Sequence, residues 1–127
     1  MSPEQSIQKA PRNILQTGLM MAEATRLDEI AAQLMAVQRL WNEPGREQHL
    51  AAALEASRRA WHAIQTALAE GVLTLPPDVQ HNLLILSVYA DSKISSCEAI
   101  PSSDTLASLI ALTRTLAGSL KEWRVAA

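Results

Sequence analysis

The sequence predicts an all-α protein, an antiparallel four-helix bundle or a close relative, and three observations predict it. Aromatic residues are 3% of the 127, Phe is absent and Gly occurs 4 times, whereas sheets draw on β-branched and aromatic side chains and on turn glycines. Hydrophobic residues reach 48%, with Ala and Leu prominent among them, and both are strong helix formers. Apolar positions recur at steps of three and four along most of the chain, the spacing that gathers side chains on one helical face. A chain of this length makes one domain and buries enough surface for a true core. We divide it into an N-terminal segment, 1–16, and a single helical domain, 17–127.

The first predicted helix runs from about Thr17 to Asn42, its start falling near Ile14 or Leu19. Leu27, Ile30, Ala31, Leu34, Val37 and Trp41 form its stripe. Asn13 with Gln16 resembles a capping box, while Gly18 weakens a helix through that region. Glu43-Pro44-Gly45 ends the helix, because Pro cannot donate to the ladder and Gly takes the terminal turn. The second helix runs from about Glu47 to Glu70, with Leu50, Ala53, Leu54, Ser57, Trp61, Ile64 and Leu68 on one face and Gly71 just past its end. Val72-Leu73-Thr74-Leu75 is too short and too close to prolines for a strand. Trp41 and Trp61 lie on apolar stripes and are the candidate core anchors.

The third helix begins near Pro76-Pro77-Asp78. Proline is tolerated in a first turn and Asp78 suits the positive end of the helix dipole. Val79, Leu83, Leu86, Ala90, Ile94 and Cys97 share a face, and Ile100-Pro101 breaks the chain. Ser102 or Ser103 caps a fourth helix through about Arg124. Its stripe of Leu106, Leu109, Thr113, Leu116, Leu120 and Trp123 alternates steps of three and four, the coiled-coil seam. Short connections favour antiparallel neighbours. Ser57 and Thr113 interrupt apolar stripes, and a buried hydroxyl needs a partner. The local choice is the carbonyl four residues back, Ala53 or Leu109. The alternative is a polar contact between the two helices.

Chemistry-bearing motifs are scarce. A net charge of −2 argues against bulk nucleic-acid binding, which usually wants a basic face. One cysteine, Cys97, excludes an internal disulfide and a cysteine-cluster zinc site and fits a reducing cytoplasm. No apolar run reaches the length of a membrane span, and the first twelve residues hold no apolar signal core. His49, His62 and His81 lack metal-ligand spacing. No phosphate loop, nucleophile elbow or Cys–His pair is present, so neither an enzyme nor a cofactor is expected. Arg58-Arg59 reads as a solvated basic pair.

From Glu23 onward the order of features resembles the FlaF family, flagellin-biosynthesis regulators of some flagellated bacteria. Glu23, Leu34-Met35-Ala36-Val37 and Trp41 resemble its first helix. Ala53-Leu54-Glu55-Ala56-Ser57-Arg58-Arg59-Ala60-Trp61 resembles its Ala-Leu-x-x-Asn-Arg-x-Leu-Trp signature. Leu75-Pro76 with Val79, Asn82, Leu83, Leu86 and Val88 is similar to its third helix. Leu109-Ile110-Ala111-Leu112-Thr113-Arg114-Thr115-Leu116-Ala117 is similar to its final Leu-Ile-x-Ile-Asn-Arg-x-Ile-Ala segment. The departures are concrete: Leu19-Met20-Met21-Ala22-Glu23 stands for Pro-Arg-Glu-x-Glu, Ser57 and Thr113 for Asn, Ala60 for Leu, and Ser119 for Gly. The resemblance implies a cytoplasmic, non-enzymatic protein that binds flagellin and supports its production and export, beside a partner that represses flagellin translation. The alternatives are an RNA-linked regulator acting on flagellin message and a structural homodimerising bundle. The acidic balance and the lack of a basic-aromatic stripe count against direct RNA contact.

A partner surface is sought on the third helix. Leu84, Ile85, Val88 and Tyr89 point away from the face of Leu83, so the first half of this helix is apolar almost all round. Its second half, with Asp91, Ser92, Lys93, Ser95 and Ser96, has a polar back. A helix apolar all round is normally buried all round, which would make it a central helix under the other three and the Val72–Leu75 loop. Otherwise these four residues form an exposed patch that receives an amphipathic flagellin helix or a second copy of the chain. The next place to look is the Met20-Met21 end of the first helix.

Overall fold

The computed structural model describes residues 3–71 and 75–126, and side chains within 21–71 and 75–122. Four helices follow in order: α1 Pro3–Arg39, α2 Arg46–Ala69, α3 Pro77–Ala99 and α4 Ser103–Ala126. Each packs on its chain neighbours, and α1 closes the ring on α4 in the most extensive pairing; α1 with α3 and α2 with α4 form no pairing among the described residues. This is a four-helix bundle whose core lies along the common axis.

Three of the four helices match their expected bounds, and local chemistry explains why. Gly45 precedes α2 with φ of 83° and Gly71 follows it with φ of 72°, a left-handed conformation that glycine adopts without steric cost. Pro77 occupies the first turn of α3, and Ile100, in extended conformation, ends it. The Ser102 hydroxyl accepts the Thr105 backbone N–H at 3.4 Å, capping α4.

The first helix corrects the expectation. It starts at Pro3, not near Ile14, Thr17 or Leu19, and crosses the boundary drawn at residue 16. Proline is pre-organised for a first turn. Gln, Lys, Arg and Ala carry the helix over Pro11 and Gly18, whose interior costs of about 3 and 1 kcal/mol had argued for a later start. Its end also comes earlier, at Arg39. A turn follows, held by Glu43 N–H to Leu40 C=O at 3.0 Å and Arg46 N–H to Glu43 C=O at 3.3 Å. The expected Asn13–Gln16 capping box, the 72–74 stretch, and the side chains of Met20 and Trp123 lie outside the described residues.

The stripes become the core. Leu27, Leu34, Leu54, Ile64, Leu83, Ile94, Leu109 and Leu116 are all buried, and Trp61 is the largest fully buried side chain. Trp41 is only half-buried, packed against the edge of the core, because α1 has already ended before it. The Arg46 guanidinium lies 4.3 Å from its ring centroid, a cation–π contact that lets the ring stay partly wet.

Ser57 and Thr113 are fully buried. Ser57 Oγ donates to the Ala53 carbonyl at 2.9 Å, and Thr113 Oγ1 to the Leu109 carbonyl at 2.7 Å. Each hydroxyl is satisfied within its own helix, and α2 does not pair with α4. In a double-mutant cycle of Ser57→Ala with Thr113→Val, the two effects are therefore expected to add within about 0.5 kcal/mol. Larger coupling in urea denaturation would mean that the hydroxyls communicate across the bundle.

Candidate partner-binding surface

Among the described residues no group of three or more His, Cys, Asp or Glu side chains converges on a metal position, and His49, His62 and His81 are all exposed. No described helix is long and apolar enough to cross a membrane. An open cleft of about 170 Å³ lies at the α1–α2 turn between Val37, Leu40, Pro44 and His49.

The prominent surface feature is on α3. Leu83, Ser87, Ala90, Ile94 and Cys97 face the core, while Leu84 is 39%, Ile85 52%, Val88 65% and Tyr89 56% exposed. Helix α3 is thus not the central helix that its all-round apolar character suggests. Among the described residues it packs on α2 and α4 alone, and two neighbours cover only one side of a cylinder. Lys93 Nζ sits 5.4 Å from the Tyr89 ring centroid, and Ser92, Ser95 and Ser96 continue the outer face as a polar strip. The exposed apolar stretch from Leu84 to Tyr89 therefore spans about 1.7 turns at 3.6 residues per turn. Met21, at the described end of the alternative α1 location, is 42% exposed.

Polar groups line the α2 side of α3. The two Nη groups of Arg58 donate to the two carboxylate oxygens of Glu98, one at 2.9 Å. His62 Nε2 lies 3.3 Å from Asp91 Oδ2, and Gln65 Nε2 donates to Ser87 Oγ at 2.9 Å. Ser87 Oγ in turn donates to the Leu84 carbonyl at 2.7 Å. The hydrogen bond to Glu98 raises the Arg58 pKa, and the same bond holds the Glu98 carboxyl below its ordinary value. Arg58 is thus not simply solvated, whereas Arg59 pairs with Glu55 one turn back at 3.2 Å. The sequence reading missed this ladder and the burial of Ser87. The signal was available in spacing: positions 58, 62 and 65 ascend α2 as 98, 91 and 87 descend α3, the pattern of antiparallel neighbours.

No curated protein and no solved structure matches the chain. A family model does: that of the flagellar protein FlaF, over residues 14–120. The match spans all four helices and includes both faces of α3, and the chain belongs to the FlaF family of flagellar proteins.

Proposed function

We propose that this protein binds flagellin in the cytoplasm and supports its synthesis and export in a chaperone-like, regulatory role, with Leu84, Ile85, Val88 and Tyr89 as the contact surface. The observation that carries the reading is an apolar stripe left open on α3 of a flagellar-family bundle. Unpolymerised flagellin has amphipathic terminal helices, and an apolar strip along an exposed helix is suited to covering such a face. Four side chains on one helix fall within the patch size that monomers carry, a few hundred Å². A stable dimer buries about 1,200–2,000 Å² in total, so this stripe fits one partner helix better than a second copy. A translational repressor of flagellin is the second partner that the family relationship implies.

The test is co-purification of the tagged chain from cells making flagellin. Flagellin is expected to be retained in a stable complex free of RNA. Retention of flagellin message with no flagellin protein would favour the RNA-linked regulator, and recovery of a homodimer alone would favour the structural bundle.

A further inference from the structure

Helix α3 carries apolar side chains on both of its faces. Leu84, Ile85, Val88 and Tyr89 are exposed on the outer one, while Leu83, Ala90, Ile94 and Cys97, with the hydroxyl of Ser87, are buried on the inner one. Hydrophobic burial is non-directional and scales with apolar area, so it does not by itself select the observed rotation of α3 about its axis. The α2 ladder does. At 100° per residue, Ser87, Glu98 and Asp91 lie about 40°, 60° and 80° from Leu83, one narrow polar edge. Gln65, Arg58 and His62 meet that edge. Turning α3 to bury Val88 and Tyr89 would tear these contacts apart. The Arg58–Glu98 contact, bidentate and charge-assisted, belongs to the stronger class of hydrogen bond.

We infer that Arg58, His62 and Gln65 are positioning residues: their contacts to Glu98, Asp91 and Ser87 set the rotation of α3 and so hold the Leu84–Tyr89 stripe outward for a partner. The use of the stripe rests on the flagellin-binding reading; the control of rotation does not.

The experiment reads rotation directly. Val88→Cys puts a thiol on the exposed face, and the chain's one native cysteine, Cys97, is fully buried. In that background Arg58→Glu sets two carboxylates against each other, and adding Glu98→Arg restores an opposite-charge pair with its ends exchanged. The rate of labelling by a maleimide is expected to fall severalfold in the Arg58→Glu protein and to recover in the double exchange, with helical circular dichroism retained. An unchanged rate would overturn the inference, because core shape would then set the rotation. Faster labelling of both Val88→Cys and Cys97 would also overturn it, since the ladder would merely hold α3 on the bundle. Flagellin retention is measured alongside. If the parent chain retains none while labelling still follows the charge exchange, the flagellin reading falls and the positioning role stands.

Discussion

Replacing Trp61 by alanine is expected to destabilise the fold by about 3–5 kcal/mol, the usual range for deleting a buried aromatic side chain. Trp61 is fully buried on the α2 face that also carries Leu54, Ile64 and Leu68. Its truncation opens a cavity that rigid helices on either side close only in part. One feature tempers the loss. The indole Nε1 has no hydrogen-bond partner among the described residues, and a buried donor without a partner costs about 1–3 kcal/mol. Trp61→Ala removes that group along with the ring, which places the expected value at the lower end of the range. Trp61→Phe removes the donor while keeping an aromatic ring, so it should cost markedly less. Thermal or urea denaturation of both variants checks this. A midpoint unchanged in Trp61→Ala would place the ring at the surface, and a Phe variant as unstable as the Ala variant would assign the N–H a structural bond.

The helices that could be placed from the sequence are those bounded by strong local signals. Gly71, Pro76-Pro77 and Ile100-Pro101 punctuate the chain, and helix bounds follow them within a residue or two. The buried stripes of α2 and α4 were equally legible, because each of those helices has one apolar face and periodicity identifies it. Ser57 and Thr113 were legible for a related reason: a short hydroxyl reaches its own helix before it reaches another. Two features were not. The start of α1 depended on whether Pro11 and Gly18 would break a helix, and propensity is a weak prior that context overrides. For α3 the pattern sets the Leu83 face apart from Leu84, Ile85, Val88 and Tyr89, but it does not say whether the second side is covered as well. That depends on how many helices surround α3, and among the described residues only α2 and α4 pair with it. Pairings between residues far apart in sequence leave no trace in local periodicity. Ser87 illustrates the point: its hydroxyl donates within its own helix to the Leu84 carbonyl, and it also accepts from Gln65 across the helix boundary, a pairing that periodicity does not show.

Leu84→Glu and Val88→Glu are expected to abolish flagellin retention while leaving the helical signal intact. Val88 is 65% exposed, and surface substitutions away from packed features usually change stability by no more than about 0.5 kcal/mol. A carboxylate there remains hydrated in the free protein. Leu84 is more covered, at 39% exposure, so its variant should lose slightly more stability, and both should melt as one cooperative unit. Binding is different. A partner helix laid over the stripe would seal the new carboxylate from water, and leaving a charge buried without a counter-ion costs about 3–5 kcal/mol. At about 1.4 kcal/mol per tenfold in affinity, that is more than a hundredfold, enough to remove a complex from a co-purification. Val88→Leu keeps the face apolar and should retain flagellin, which separates loss of the surface from loss of the native side chain. Binding by both acidic variants at the parent level would place the flagellin contact elsewhere, first at the Met21 end of α1. Unfolding of both would mean that the stripe belongs to the core, contrary to its exposure on α3.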